Sequence, residues 1–244
     1  MNDTRHEPRP HLVRRLWRSP VARALVVVAA LSAFALVLIA SRAAYTGRKS
    51  YAFLVWNLFL AWVPVAFAVG AAVVARRAGH RKRGRLVVAA LVACWLAFFP
   101  NGPYILTDLM HLRTTFGGPL WLDLLMVLTT AISALLVSLL SLRIVHGVAD
   151  GITGRRWPGW VIAVGSCFAG GFGVYLGRFL RWNSWDLVVR PGDVLGDAVD
   201  SITGARGVGF SIGFGALVLG VYGVLVALGS GPRPEPPASA PTAS

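Results

Sequence analysis

Six apolar stretches, each of about 20 residues, constrain the fold of this chain more than any other feature. A helix rises about 1.5 Å per residue, so a stretch of this length crosses the roughly 30 Å hydrocarbon core of a bilayer. The stretches are 21–40, 51–75, 86–106, 119–142, 158–180 and 208–229. Because lipid cannot satisfy backbone hydrogen bonds, each stretch must be helical. The sequence therefore predicts an all-α, polytopic membrane protein with six transmembrane helices.

Composition agrees with a membrane protein and argues against a nucleic-acid-binding one. Of the 244 residues, 56% are hydrophobic and 14% are charged, which is more apolar surface than a soluble domain buries. The net charge of +14 is distributed in short basic segments between the apolar stretches, as in the loops of membrane proteins. Cys94 and Cys167 lie within apolar stretches and read as small hydrophobic side chains. The sequence requires no cofactor, and the partner it implies is the lipid bilayer.

The distribution of Lys and Arg predicts the orientation in the membrane. Segments 1–20, 76–85, 143–157 and the C-terminal tail together hold 15 of these residues, whereas the three alternate loops hold seven. The positive-inside rule then places both termini in the cytoplasm. We expect a basic cytoplasmic tail over 1–20, a transmembrane domain over 21–229 and a disordered, Pro/Ala/Ser-rich cytoplasmic tail over 230–244.

The third stretch contains the sequence FFPNGPYILTDLMHL at 98–112, which breaks its helix. The uninterrupted part, from 86 to 99, is too short to cross a bilayer. Pro100 and Pro103 lack backbone donors, and Gly102 permits unusual dihedral angles. Interrupted backbone at this depth must be covered by protein or water. The break therefore predicts a polar pocket at the extracytoplasmic end of the bundle, beside short interfacial helices.

Polar residues from separate helices are expected to meet at this pocket. Segment 104–112, folded as an α-helix, would present Tyr104, Asp108 and His111 on one face and apolar residues on another. Arg178 lies inside the fifth stretch and needs an acidic partner, for which Asp108, Asp123 and Asp186 are the candidates. The other polar residues expected at this level are Asn57, Asn101, Arg181 and Asn183.

Two interpretations of this polar set are open. In the first it is structural: Asp108 and Asp123 pair with Arg178 and Arg181, and Asn57 and Asn183 satisfy the interrupted backbone. In the second it is a site. The catalytic candidates are then Asp108, His111, Asp123, Arg178, Arg181 and Asp186, the metal candidates are Asp108 and His111, and the binding candidates are Asn57, Asn101, Tyr104 and Asn183.

Three classes of function are compatible with these residues. A membrane-embedded enzyme acting on a lipid-linked or cell-envelope substrate would use Asp108 with His111, as metal ligands or as a base and its orienting group. A small-solute transporter would line its pathway with the broken span and Asn57 and bind the solute at Asp108 or Arg178, although no internal repeat is visible. A binding or assembly component would contact lipid, a membrane protein or a cell-envelope partner. We favour this last class, because the chain lacks an HExxH motif and a nucleophile elbow.

Two further patterns concern packing. Small residues at three- and four-residue spacing in the last two stretches predict faces that neighbouring helices approach closely. The series are Gly165, Ala169, Gly173 and Gly177 in the fifth stretch, and Gly209, Gly213, Ala216, Gly220 and Gly223 in the sixth. The sequence PGDVLGDAVDSI at 191–202 predicts an amphipathic surface helix.

Four segments of the chain together resemble a known family. They are WNLFLAWVP (56–64), FFPNGPYILTDLMHL (98–112), PLWLDLL (119–125) and GVYLGRFLRWNSWD (173–186). They are similar to the integral membrane family catalogued as domain of unknown function 1361, over roughly residues 50–225. The resemblance implies a multi-pass protein of a bacterial cytoplasmic (inner) membrane and carries no assigned reaction. It includes Asn57, Asn101, Tyr104, Asp108, His111, Asp123, Arg178, Arg181, Asn183 and Asp186 without assigning them roles.

Overall fold

A computed structural model describes residues 19–78, 81–113, 119–182 and 186–229. Over these ranges the chain is helical and contains no strand, as predicted for an all-α protein. Most of the predicted basic tail and all of the predicted C-terminal tail lie outside the described residues.

In the described part of the chain, six helical spans are long and apolar enough to cross a membrane, so the prediction of a multi-pass membrane protein is confirmed. They are α1 (Pro20–Thr46), α2 (Phe53–Ala78), the span that begins with α3 (Lys82–Phe98), α5 (Leu120–Thr153), α6 (Trp157–Phe179) and α9 (Ala205–Gly229). The shorter helices are α4 (Asn101–Tyr104), α7 (Asp186–Val189) and α8 (Pro191–Thr203), and a 3₁₀ segment covers Ile105–Arg113. The third candidate span continues from α3 through α4 to Met110.

Two helices extend well past the apolar stretches that predicted them. Helix α1 continues to Thr46 and α5 to Thr153, and each is followed by a glycine, Gly47 or Gly154, with φ of 66°. A left-handed residue just after a helix ends it, and glycine adopts this conformation without a Cβ clash. The helix ends are therefore set by glycine caps, whereas the end of each apolar run marks only where polar residues begin.

Helix α5 is the centre of the bundle. It contains 34 residues, and 67% of its most apolar window is buried, compared with 17–39% in the other candidate spans. Helices α1, α2 and α6 and the 3₁₀ segment all pack against it, while α3 packs on α2, and α9 packs on α6. Because α3 and α6 are held by different neighbours, a gap remains between them.

The interior of α5 carries hydroxyl groups that bond within the bundle. Thr130 Oγ1 donates to the Met126 carbonyl at 2.8 Å, which satisfies a hydroxyl that lipid could not. Trp95 Nε1 of α3 donates to Ser141 Oγ at 2.9 Å. A transmembrane helix that is polar on its protein-facing surface must be surrounded by other helices, which explains why α5 is central.

Helices α6 and α9 pack closely through small residues, but one of the two predicted faces is wrong. A Cβ on Gly171 would lie 2.6 Å from the Ser211 carbonyl, and one on Gly215 would lie 2.9 Å from the Phe168 Cα. The predicted series in the sixth stretch lies elsewhere: a Cβ on Gly213 would meet no described atom within 4 Å, nor would one on Gly209, Gly220 or Gly223. Spacing alone does not say which of several small-residue faces a neighbour occupies.

The connections lie at two ends of the bundle. The basic end carries the α2–α3 connection and the α5–α6 turn, with Arg76, Arg77, Arg155 and Arg156. The opposite end carries the α1–α2 turn, α4, the 3₁₀ segment, α7 and α8, and is called the α8 end. The nominated site residues that the structure describes lie at the α8 end.

Candidate functional site

The break in the third span interrupts the helix only between Phe98 and Asn101. Helix α3 ends at Phe98, yet Pro100 is right-handed helical, with φ −62° and ψ −22°, and its carbonyl accepts from Tyr104 N at 2.9 Å. Asn101 Nδ2 donates to the Phe98 carbonyl at 2.9 Å. The sequence assigned such backbone satisfaction to Asn57 and Asn183. Asn101, one of the predicted binding residues, has this role, whereas Asn57 contacts Asp108 and Asn183 lies outside the described residues.

The segment after the break is a 3₁₀ helix, so the predicted α-helical faces are wrong. Three residues per turn place Ile105 and Asp108 on one side, and both are buried. Leu106, Leu109 and Leu112 form the adjacent side and pack against a core shared by α1, α2 and α5. The tighter winding carries the Asp108 carboxylate inward, where it contacts Arg178 together with the Tyr104 hydroxyl.

Close contacts at glycines hold this region against the bundle. A Cβ on Gly102 would lie 1.8 Å from Ser138 Oγ and 2.7 Å from the Ala134 carbonyl, so α4 contacts α5 through its backbone. On α6, a Cβ at Gly173 would lie 2.7 Å from the Pro100 ring, and one at Gly177 would lie 3.4 Å from the ring of Tyr104. The small-residue face predicted on the fifth stretch thus receives the broken segment, as close approach requires.

One buried ion pair joins α6 to the 3₁₀ segment. Arg178 Nη1 lies 3.0 Å from Asp108 Oδ1, and their side chains are 14% and 2% exposed. Asn57 Nδ2 donates to Asp108 Oδ2 at 3.2 Å. Arg178 also donates to the Thr107 carbonyl and lies 3.4 Å from the Tyr104 hydroxyl, with its guanidinium 5.6 Å from the centre of that ring. These residues (Arg178, Asp108, Asn57 and Tyr104) are called the Arg178 cluster.

A second buried ion pair corrects the partner expected for Asp123. Arg42 Nε lies 2.8 Å from Asp123 Oδ1, and Arg42 Nη2 lies 3.3 Å from Oδ2, a two-pronged pair with side chains 1% and 6% exposed. Tyr51 donates to Asp123 Oδ2 at 3.4 Å, and its ring lies under the guanidinium at 4.6 Å. Arg42, Tyr51 and Asp123 are called the Arg42 cluster. Asp123 is therefore paired with Arg42, and neither Arg178 nor Arg181 holds it.

Sequence reasoning overlooked Arg42 because it placed this residue in a loop. Helix α1 continues past it, so Arg42 lies in the last turns of a membrane-spanning helix. A charge there requires a partner, and Asp123 occupies the corresponding level in the first turn of α5. The useful signal was that α1, α5 and α6 each carry a single charge near the same end: Arg42, Asp123 and Arg178.

Of the remaining nominated residues, the structure describes Arg181 and Asp186, and neither is among the residues that define the two clusters. Arg181 is exposed and has φ of 63°, and Asp186 begins α7. Asn183 and the side chain of His111 lie outside the described residues. Among the side chains that are described, no group of three His, Cys, Asp or Glu residues converges as a metal site would.

Arg181 ends α6 in a conformation that usually belongs to glycine. Trp182 N donates to the Leu176 carbonyl at 3.2 Å, and Leu180 N donates to the same carbonyl at 3.1 Å. The return from Trp182 reaches a carbonyl six positions back, one more than in the Schellman arrangement, and like that arrangement it has a left-handed residue, Arg181, just after the helix end. The turn directs the chain back towards α4, and Trp182 follows it.

A cavity of about 550 Å³ fills the gap between α3 and α6. Its walls come from one end of α2, from α3 and α4, and from the Ala169–Gly177 face of α6. The polar residues that line it are Asn57, Asn101 and Tyr104, together with the indole of Trp182. Most of the wall is apolar, contributed by Leu60, Ala93, Leu96, Ala97, Ala169, Phe172 and Leu176. The sequence predicted a polar pocket; the cavity at the α8 end is polar over only part of its wall.

Helix α8 closes the cavity at its end. Its sequence forms the amphipathic helix predicted for this loop, and Pro191, Val194 and Ala198 line the cavity. Trp182 Nε1 donates to Asp197 Oδ2 at 2.8 Å, and the Arg190 guanidinium lies 5.0 Å from the centre of the Trp182 ring. Two side-chain contacts therefore fix α8 to the end of α6.

The basic end contains a hydrogen-bonded group that the sequence analysis did not identify. His146 Nδ1 lies 2.8 Å from the Tyr222 hydroxyl, and His146 Nε2 lies 3.3 Å from Asp150 Oδ2. Asp150 Oδ1 accepts from Gly159 N at 2.9 Å. The group joins α5, α6 and α9. The spacing of His146 and Asp150, four apart on one helix, was the available signal.

Comparison with known proteins identifies a family and nothing closer. The family model described as "Protein of unknown function (DUF1361)" matches residues 56–221, which is more than half of the chain. No curated protein matches the chain. No solved structure matches it either.

Proposed function

Since the chain belongs to the family described as "Protein of unknown function (DUF1361)", which supplies no reaction, we propose a function from the cavity between α3 and α6. The protein binds an uncharged amphipathic molecule of the membrane, with the apolar part of that molecule in the cavity and its polar group near Asn57 and Tyr104. This is the binding class of function favoured by the sequence.

The size and lining of the cavity support such a ligand. Its volume of about 550 Å³ lies within the roughly 300–1,000 Å³ typical of small-molecule sites. Apolar walls with a few polar groups at one place match a molecule that is itself apolar with one polar group. The walls belong to membrane-spanning helices, so a ligand dissolved in the bilayer meets them directly.

Contacts within the Arg178 cluster determine which atoms of Asn57 and Tyr104 can form hydrogen bonds with that ligand. Asn57 uses Nδ2 to contact Asp108, so its Oδ1 is the carboxamide atom suited to accept from a ligand. The Tyr104 oxygen accepts from Arg178, which leaves the hydroxyl hydrogen to be donated. One acceptor beside one donor complements a hydroxyl or an amide group.

The pairing of charges favours an uncharged ligand over an ionic one. Among the described residues that line the cavity, none is charged. Asp108 and Arg178 neutralise each other behind the wall, and an ionic group placed in the cavity would lose its hydration without an opposite charge in contact. This pairing also weakens the enzyme and transporter hypotheses, which required one of these charges for the substrate or solute.

We further propose the orientation predicted by the basic loops: the basic end in the cytoplasm and the α8 end on the extracytoplasmic side. The cavity would then open to the outer half of the membrane. Charged groups of the α8 end would meet extracytoplasmic solvent, and the ligand would come from the outer leaflet or from an envelope component inserted in it.

Photolabelling with a diazirine-bearing monoacylglycerol tests the binding proposal. This probe has an uncharged hydroxylated head and one acyl chain. We expect it to label peptides of α3 and α6 in purified protein reconstituted into nanodiscs. Ala169→Trp fills the cavity from α6, and Ala97→Phe fills it from α3; each should reduce labelling at least several-fold.

A matched control separates the cavity from the helix surface. Val164 is exposed on α6 and does not line the cavity, so Val164→Trp should leave labelling unchanged. If Ala169→Trp and Ala97→Phe both label as strongly as Val164→Trp, the cavity is not the site and the proposal is wrong. A stronger signal from a diazirine-bearing phosphatidic acid would show that the ligand is anionic, which also contradicts it.

A further inference from the structure

A second opening at the α8 end lies between α1 and α2, apart from the cavity. Both helices pack on α5 and contact each other little, so they diverge towards the outside. The groove between them has a volume of about 230 Å³. Its apolar lining comes from Leu36, Ile39, Ala40 and Ala43 of α1 and from Ala52 and Val55, at the start of the α2 region.

Two basic residues close the end of this groove. Arg48 and Lys49 both line it and are exposed, and within the described residues neither forms a salt bridge. The third cation in the lining, Arg42, is already neutralised by Asp123. The groove therefore ends in two positive charges that have no acidic partner in the described part of the chain.

The turn that carries these cations is ordered by hydrogen bonds. Thr46 Oγ1 donates to the Arg42 carbonyl at 2.9 Å and accepts from Arg48 N at 3.3 Å. Gly47 has φ of 66°, which reverses the chain after α1, and Ala52 N donates to the Lys49 carbonyl at 3.0 Å. The positions of the two cations relative to the groove are thus set by the fold.

We propose that this groove binds an anionic phospholipid, with an acyl chain against the apolar wall and the phosphodiester at Arg48 and Lys49. Lys and Arg side chains beside a membrane surface attract anionic lipid headgroups, and here an apolar groove adjoins the two cations. The apolar groove directly below them commits the site to a lipid, because a free phosphate would leave that surface without a matching partner. The site is independent of the uncharged ligand proposed for the cavity.

Native mass spectrometry of the detergent-purified protein with added phosphatidylglycerol tests the charge. The double variant R48Q/K49Q should bind phosphatidylglycerol about 25-fold more weakly, since each basic residue near an anionic lipid contributes roughly five-fold. The matched control R76Q/R77Q removes two exposed adjacent arginines from the basic end and should bind as the unchanged protein does. Equal weakening by both variants would overturn the site.

Filling the groove tests the lipid chain. Ala40 is exposed and lines the groove, so Ala40→Trp should weaken phosphatidylglycerol binding while both cations remain. Val37→Trp lies on the same helix outside the groove and should have no effect. Unchanged binding by Ala40→Trp, equal binding of phosphatidylcholine, or full competition by glycerol phosphate would each contradict a phospholipid seated there. None of these variants should alter monoacylglycerol labelling of the cavity, so the two proposals fail separately.

Discussion

Two clusters at the α8 end contain the same three kinds of residue but use them differently. In the Arg42 cluster and in the Arg178 cluster, an arginine pairs with a buried aspartate and lies over a tyrosine ring. The Arg42 pair is two-pronged and both its side chains are nearly inaccessible. The Arg178 pair has a single short contact, and its arginine is 14% exposed.

The tyrosine hydroxyls of the two clusters also have different hydrogen-bond partners. Tyr51 donates its hydrogen to the carboxylate of its own cluster. The hydroxyl of Tyr104 accepts from the arginine, and its ring lines the cavity. In the Arg178 cluster, Asn57 contacts the carboxylate instead and also lines the cavity. In the Arg42 cluster the tyrosine hydroxyl therefore contacts the ion pair itself, whereas in the Arg178 cluster Tyr104 and Asn57 also line the cavity.

Neutralising one aspartate in each cluster should give the largest contrast. Asp123→Asn leaves the Arg42 charge buried without its counter-charge, and such a change costs about 3–5 kcal/mol of stability. Asp108→Asn should cost less, because Arg178 keeps some solvent exposure and its bond to the Thr107 carbonyl. Unfolding monitored by fluorescence-detected size exclusion in detergent measures both variants. Equal losses would remove the distinction between the clusters.

A methyl group on Gly102 should be the next most damaging change. Gly102→Ala would place its Cβ against Ser138 Oγ and the Ala134 carbonyl, and overpacking of this kind costs about 1–3 kcal/mol. The displacement would move Tyr104 and Asp108 but not the Arg42 cluster. Gly165→Ala is the control, because a Cβ there meets no described atom within 4 Å. A Gly102→Ala protein as stable as the Gly165→Ala protein would contradict the close contact with α5.

Replacing Arg181 by glycine should stabilise the protein. Its left-handed backbone costs an ordinary residue roughly 1–2 kcal/mol, and glycine avoids most of that cost. Arg181→Ala removes the same charge but keeps the Cβ, so it should give no such gain. The melting temperatures of the two variants report the difference. A gain shared by both would assign the effect to the charge and leave the turn unexplained.

Removing each tyrosine hydroxyl is the finest comparison of the two clusters. Tyr51→Phe should lower stability by about 0.5–1.5 kcal/mol, because it removes a buried hydrogen bond. Tyr104→Phe should leave stability nearly unchanged and weaken monoacylglycerol labelling. Stability measured in urea and labelling in nanodiscs separate the two effects. A large stability loss in Tyr104→Phe would make the Arg178 cluster structural as well.

The Tyr51→Phe variant should also differ from the unchanged protein in alkaline solution. Burial, followed by the nearby Asp123 carboxylate, raises the pKa of the Tyr51 hydroxyl above its ordinary value. A group with a raised pKa in the folded state stabilises the fold fully below its unfolded pKa and loses that contribution as pH rises through the folded value. The unchanged protein should therefore lose stability above about pH 10 more steeply than Tyr51→Phe does.

The sequence predicted the features of the candidate site that depend on local interactions and missed those that depend on residues distant in the chain. Interruption of the third span was visible because two prolines and a glycine act on their own neighbourhood. The 3₁₀ winding after the break was not visible in the sequence, because this winding depends on the packing of three leucines against helices far away in the chain. The partner of Arg178 was among the predicted candidates, while the pairing of Asp123 with Arg42 was missed.

By itself, the sequence determined the class of the protein. Six apolar stretches of bilayer length allow only helices in lipid, and this holds whatever the helices pack against. Tertiary structure alone decided which helix is central, which face of α9 meets α6, and which aspartate pairs with which arginine. These outcomes depend on contacts between residues up to 81 positions apart, such as Arg42 and Asp123, for which no local pattern is a guide. The cavity belongs to this second kind, because it is the space that two separately supported helices leave between them.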